Sequence, residues 1–236
     1  MNFRLALLLL FILSSGCGTN TPLTSLDPGI VRTTVTWTKV GGSTLANQHG
    51  VYGEIGTARS INIPGARAYP SSTSDSSGNF WFFGGQGYNA GASLGYLCDL
   101  WKYNGTEWTW MAGKETHNQT GDYGVLGVAR AGSFPGGRAG ATLWTDSGGA
   151  LWVFGGFGYD SEGTQGYLND LWKWDGTHWI WVSGSKIAVQ SISVTSPGSR
   201  AYSGHWRDLT GVNWVFGGLG HDSNGSVGFL NDLWKF

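Results

Sequence analysis

The chain has 236 residues, of which 40% are hydrophobic and 14% aromatic, enough to bury a sizeable core around large, rigid side chains. Charged residues make up 12%, against roughly 25% in an average soluble domain, and the net charge is −1, so no basic field exists to hold phosphates and no nucleic-acid partner is expected. Forty-one glycines against six prolines, interleaved with Trp, Phe and Val, describe many tight turns between short strands and exclude a collagen or a disordered tail.

Residues 1–16 read as a targeting element: Arg4 supplies the positive end, Leu5 to Leu13 the apolar stretch, and Ser14-Ser15-Gly16 the small residues before Cys17. The apolar run is shorter than the roughly 20 residues a membrane-spanning helix needs. With a cysteine directly after Gly16, the segment resembles a bacterial lipoprotein signal, although Ser14 stands where that pattern usually has Leu. The resemblance implies cleavage before Cys17, lipidation of its thiol, and an exported chain held in the cell envelope, at the outer membrane or cell surface. An ordinary secretory signal would leave the chain periplasmic or secreted. Residues 17–34 form a linker. If Cys17 carries lipid, Cys98 is alone and stability must come from packing, not from a disulfide.

From there the chain reads as strands and turns. Val35 to Val40 is a candidate strand, and an insert over 41–63 contains Asn47-Gln48-His49-Gly50-Val51-Tyr52-Gly53. A block follows with Pro64-Gly65-Ala66-Arg67, Gly84-Gly85, Asp99 and Trp101. The insert 112–134 repeats the first one as Asn118-Gln119-Thr120-Gly121-Asp122-Tyr123-Gly124. The second block has Pro135-Gly136-Gly137-Arg138, Gly155-Gly156, Asp170 and Trp172. After the insert 184–196, the third has Pro197, Arg200, Gly217-Gly218, Asp232 and Trp234. The spacing from Arg67 to Arg138, from Gly84 to Gly155 and from Trp101 to Trp172 is 71 in each case; from the second block to the third it is 62 throughout. A fixed period of this kind means stacked supersecondary units. Within the clearest copy, Ala139 to Thr145, Leu151 to Gly155, Tyr167 to Trp174 and Trp179 to Val182 are predicted strands. Asp146-Ser147-Gly148-Gly149 turns the first pair and Asp175-Gly176 the last.

A Gly-Gly doublet ending an apolar second strand, a third strand reading Asn-Asp-Leu-Trp-Lys, a fourth carrying Trp, and Pro-Gly-x-Arg entering the first together resemble the Kelch repeat of β-propellers. The resemblance implies an all-β, Kelch-type β-propeller domain over 35–236. It would have three blade units of four antiparallel strands, at about 64–111, 135–183 and 197–236, with the N-terminal strand 35–40 completing the last blade. Kelch rings usually have more blades than three, so a fragment of a longer protein, or a homo-oligomer completing the propeller, is expected in preference to a closed three-bladed monomer.

The long inserts fall on one face of such a scaffold, where binding usually resides. Tyr52, Tyr123, His49, Gln48 and Gln119, with Asn47 and Asn118, are therefore candidate ligand contacts, or else build the same turn twice with Tyr capping a blade. Arg67, Arg138 and Arg200 recur opposite Asp99, Asp170 and Asp232. Each either forms a buried ion pair in its blade or points into a cleft to grip an acidic sugar. Ser93, in Gly91-Ala92-Ser93-Leu94-Gly95, fits a nucleophile-elbow pattern but lies between two strands and not at a strand-to-helix turn. Asp160-Ser161-Glu162-Gly163 and Asp222-Ser223-Asn224-Gly225 read as Asx-turns, with a Ca²⁺ loop as the alternative reading. The five histidines show no zinc spacing, and no other metal, cofactor or catalytic residue is expected. The expected function is a non-catalytic module recognising glycan or protein. The alternative implied by the resemblance is a carbohydrate-active enzyme of the galactose oxidase or sialic-acid epimerase-like type.

Overall fold

The computed structural model describes residues 35–188, 193 and 195–236. The signal segment 1–16, Cys17 and the linker 17–34 lie outside them, as do 189–192 and 194 of the third insert. The chain divides into a segment ending at Gly41 and a compact unit from Gly42 to Phe236. In the first segment, residues 35–41 form no strand, and Val35 and Trp37 are exposed. This corrects the expected strand at 35–40. Alternating Val, Thr and Trp suit a pleated strand, but a strand exists only through its ladder to a neighbour, which local preference cannot supply.

In the unit from Gly42 onward every regular element among the described residues is β. Blade one contains β1 (Arg67–Ala68), β2 (Ser71–Ser74), β3 (Phe80–Phe83), β4 (Gln86–Tyr88), β5 (Leu94–Tyr96), β6 (Leu100–Tyr103) and β7 (Trp108–Ala112). They form a four-stranded sheet β2-β3-β6-β7 and a small sheet β1-β4-β5. Blade two has β8 (Arg138–Ala139), β9 (Thr142–Thr145), β10 (Leu151–Tyr159), β11 (Gln165–Trp174) and β12 (Trp179–Ser183), with β8 and β9 both pairing β10 in the order β12-β11-β10. Blade three has β13 (Arg200–Ala201), β14 (Gly204–Arg207), β15 (Asn213–His221) and β16 (Val227–Lys235), and β16 pairs only β15 among the described residues. All strand pairs are antiparallel.

In blade one the second strand, β3, ends at Phe83, just before Gly84-Gly85 as predicted, but in blades two and three it does not end at the doublet. β10 runs through it with a register shift between Phe154 and Gly156. Gly155 and Gly156 have φ of 64° and 105°, values a side chain would strain. Space matters as much. A Cβ on Gly155 would stand 2.6 Å from the carbonyl oxygen of Arg200 in blade three, and one on Gly84 would stand 2.6 Å from that of Arg138 in blade two. The doublet is thus where the next blade's first strand presses in, and Gly85 N–H donates to the Arg138 carbonyl at 2.8 Å.

The apolar run Leu151-Trp152-Val153-Phe154 has no polar alternation because both faces of blade two are covered. Leu151 and Val153 join Trp172, Trp174, Trp179, Phe83 and Leu100 in the core towards blade one. Trp152 and Phe154 join Trp144 and Leu171 in a second cluster, where Trp144 and Trp152 meet Phe236 of the third block. The turn before each second strand is built alike: Asp75, Asp146 and Asp208 accept two backbone N–H groups on Oδ1 and the indole N–H of Trp81, Trp152 or Trp214 on Oδ2.

Candidate binding site

Each blade is pinned by one carboxylate, fully buried in blades one and two and partly exposed in blade three. In blade two, Arg138 Nη1 donates to Asp170 Oδ1 at 2.5 Å and Nη2 to Oδ2 at 2.8 Å, while Tyr123 OH and Trp172 Nε1 donate to Oδ2 at 2.6 and 2.7 Å. The same guanidinium donates to the carbonyls of Gly136 and Gly155. Blade one repeats the set with Arg67, Asp99, Tyr52 and Trp101. Blade three repeats it with Arg200, Asp232 and Trp234 but no tyrosine. A bidentate pair whose remaining lone pairs are filled is the form in which a buried ion pair is tolerated. Burial alone would lower the Arg138 pKa; the Asp170 carboxylate more than offsets this and keeps the group charged. Burial first, and the neighbouring carboxylate second, push the Tyr52 and Tyr123 phenols well up, so both remain donors.

This placement corrects the expectation that Tyr52, Tyr123, Arg67, Arg138 and Arg200 contact a ligand. All five side chains are buried and aimed at their own blade's aspartate. The other candidates lie at the surface. His49 and Gln48 are exposed, Gln48 with its amide on the Ala46 carbonyl, and half-buried Gln119 bonds the His117 carbonyl. Ser93 sits exposed in the hairpin between β4 and β5. Asp160 Oδ1 accepts the N–H groups of Glu162 and Thr164 and Oδ2 that of Ala188; Asp222 Oδ1 accepts those of Asn224 and Ser226. These are the predicted Asx-turns. Cys98 is fully buried, and burial pushes its thiol up to about 12, which keeps it protonated and unreactive.

A group of tyrosines that the sequence reading did not single out lies where the blades' first strands meet. Tyr69 (φ 54°), Gly140 (φ 64°) and Tyr202 (φ 59°) hold one repeat position in the left-handed region. The Gly140 N–H donates to the Tyr69 carbonyl at 3.0 Å and the Tyr202 N–H to the Gly140 carbonyl at 2.7 Å, so the three residues run from blade to blade. A Cβ on Gly140 would stand 2.4 Å from the Tyr202 ring; its absence lets Tyr202 cross blade two and meet Tyr69 edge to face, with centroids 5.4 Å apart. Tyr69 is 60% exposed and Tyr202 46%.

Around this pair stand Tyr96, packed on Phe157 and Tyr159, and Tyr167, packed on Phe157 and His221. Burial, then the phenols of Tyr96, Tyr69 and Tyr167, raise the Tyr202 pKa. Burial raises that of Tyr96 too, against a hydrogen bond with Gln165. His221 departs from the repeat, standing where Tyr88 and Tyr159 stand in the other blades, and its buried Nδ1 has no hydrogen-bond partner among the described residues. The arrangement offers two exposed aromatic rings, Tyr69 and Tyr202, beside the half-buried Tyr96 and Tyr167. The signal was present in Arg67-Ala68-Tyr69 and Arg200-Ala201-Tyr202, but Gly140 between them hides the repetition.

No protein-family model matches the chain, and no curated protein matches it. Among solved structures it is similar to YjhT, with 19% identity and a TM-score of 0.41 over 72% of this chain and 36% of that one. It is also similar to a fungal alcohol oxidase of the AA5 family in complex with copper, with 15% identity and a TM-score of 0.28 over 72% of this chain and 45% of that one. The chain therefore spans less than half the length of either. The antiparallel sheets in register along the sequence, with blades two and three each pressing a first strand against the glycine doublet of the blade before, make the chain an all-β protein of β-propeller type.

Proposed function

We propose that this chain is a Kelch-type, glycan-binding module of the cell envelope, exported on the signal at residues 1–16 and held to a membrane by lipid at Cys17. The observation that carries the reading is the exposed Tyr69–Tyr202 pair, assembled from two blades across a glycine. Sugar rings present C–H faces that stack on aromatic rings and hydroxyls that bond phenols, and a cluster of both kinds of group at one place suits that ligand. The phenols of Tyr96 and Tyr167, both half-buried, supply the polar edge.

Titration calorimetry of the purified protein against a panel of oligosaccharides tests this. Saturable binding is expected, weakened at least about tenfold by Tyr69→Ala or Tyr202→Ala, a loss of about 1.4 kcal/mol. The melting temperature should hardly move for Tyr69→Ala, at a residue 60% exposed, and somewhat more for Tyr202→Ala, whose ring packs across Gly140. Absence of saturable sugar binding, or full retention by both variants, would overturn the reading. The anchor is tested separately: Cys17→Ser should release the protein from membranes, and continued membrane association would sink it.

A further inference from the structure

We propose that the open face of blade three docks blade one of a second copy of this chain, head to tail, and that two such contacts close a ring of two copies. Among the described residues nothing covers this face as the other two are covered. Gly84 and Gly155 have φ of 63° and 64° and each receives the Arg carbonyl of the following blade. Gly217 has the same backbone, φ 62°, yet what a Cβ there would meet is only the Leu230 carbonyl of its own blade. Phe216 and Leu233 are exposed where their counterparts in blade two, Phe154 and Leu171, are buried. A cavity of about 510 Å³ opens here between Tyr202, Phe216, Gly217, Phe229 and Leu230. In the two covered interfaces that position is filled by the first strand of the next blade, which in a second copy is the segment ending at Arg67.

Blade one carries the matching half. Between blades one and two, Asn118 in the left-handed conformation (φ 55°) clamps Tyr96: its N–H donates to the Tyr96 carbonyl at 2.7 Å, and its Oδ1 accepts the Tyr96 N–H at 2.8 Å. Asn47 is the same residue one repeat earlier, already at φ 60° and exposed. The counterpart of Tyr96 in blade three is Phe229, 92% exposed on β16. Continuing the pattern places Asn47 of one copy on the backbone of Phe229 of the other. The blade-to-blade hydrogen bonds through Tyr69, Gly140 and Tyr202 end at Tyr202 among the described residues, and Tyr69 of the second copy would extend them. A second copy is the occupant of choice because it alone is shown to carry both halves: a glycine-lined apolar face and the left-handed Asn with the arginine strand that fit it. Such a heterologous contact must close or polymerise.

Sedimentation of the purified protein should give twice the chain mass. Phe229→Asp, at a surface position that cannot disturb the blade interior, should raise the dimer dissociation constant at least about 30-fold, the effect of a central interface residue. Asn47→Ala should weaken the dimer less. In a Cys17→Ser background, Asn47→Cys with Phe229→Cys should yield a disulfide-linked dimer under oxidation, while Cys98 stays buried and silent. A monomer at all soluble concentrations overturns the proposal and leaves the face to a different occupant. A dimer that neither substitution weakens and the cysteine pair does not cross-link also overturns it, and a ladder beyond the dimer overturns the closed ring.

Discussion

Blades two and three are spelled almost alike, and their local geometry is the same. Trp144 and Trp152 stack at 6.3 Å with planes 5° apart; Trp206 and Trp214 stack at 6.3 Å and 7°. Their environments are opposite: Trp144 is 3% exposed and Trp206 45%. Asp170 and Asp232 hold the same bidentate arginine, but the first side chain is 0% exposed and the second 26%. The difference teaches that the repeat determines how a blade is made and that its neighbours determine how much each part is worth. Blade two lies between two blades and under Tyr123. Among the described residues, blade three has one covered face and no tyrosine on its aspartate.

The largest test of that contrast is to break the ion pair. Asp170→Ala leaves Arg138 charged and fully buried, which should cost about 3–5 kcal/mol of unfolding free energy in urea. Asp232→Ala also leaves a buried guanidinium, that of Arg200, but water already reaches the site from the carboxylate side, so it should cost less, about 1–3 kcal/mol. Equal losses would show that position in the array does not set the value of the pair. Next, Trp172→Ala should cost about 3–5 kcal/mol because the indole is fully enclosed, and Trp234→Ala, on the half-open blade, about half as much. An unchanged midpoint for Trp172→Ala would mean its indole is exposed in solution.

A smaller effect isolates the tyrosine that blade three lacks. Tyr123→Phe removes one hydrogen bond to a carboxylate and should cost about 1.5–3 kcal/mol near neutral pH. The phenols of Tyr52 and Tyr123 have pKa values raised by folding. Their contribution is therefore whole below the unfolded value, about 10, and is lost as pH rises above it, because the unfolded chain gives up the proton first. The melting temperature should fall above about pH 10, and less steeply in a Tyr52→Phe, Tyr123→Phe double variant. The smallest effect is at the acid end. Partial burial pushes Asp232 up, but hydrogen bonds from Arg200 and Trp234 prevail and hold its carboxyl below the usual range. Its contribution is present above the unfolded pKa of about 4 and is lost as pH falls below it. Asp232→Asn should flatten that acid limb of the melting curve, and a limb unchanged by the substitution would assign the acid sensitivity elsewhere.

The glycan reading and the ring of two copies meet at Tyr202, which belongs to the tyrosine cluster and also borders the open face. They remain separable, because Tyr69→Ala acts on the cluster from blade one and Phe229→Asp acts on the face from blade three. Loss of sugar binding with the dimer intact, or loss of the dimer with binding intact, would tell the two apart.

Much of this protein was written locally. The 71- and 62-residue spacings, the Asp-led turns and the Gly-Gly doublets set the blades and their order, since hairpins of this kind are specified by turn chemistry and alternation over a few residues. The Arg–Asp pairing was legible because two opposite charges recurring in register need each other in an apolar interior. What only the tertiary structure decided was which groups face outward. Tyr52 and Tyr123, candidates by their place in the inserts, turn inward to fill the last lone pairs of a buried carboxylate. Tyr69 and Tyr202 stay exposed because Gly140 clears a path across the blade between them. The strand expected at 35–40 failed for the same reason: pairing and burial are properties of what lies opposite a residue, and that is set by neighbours tens of residues away in the chain.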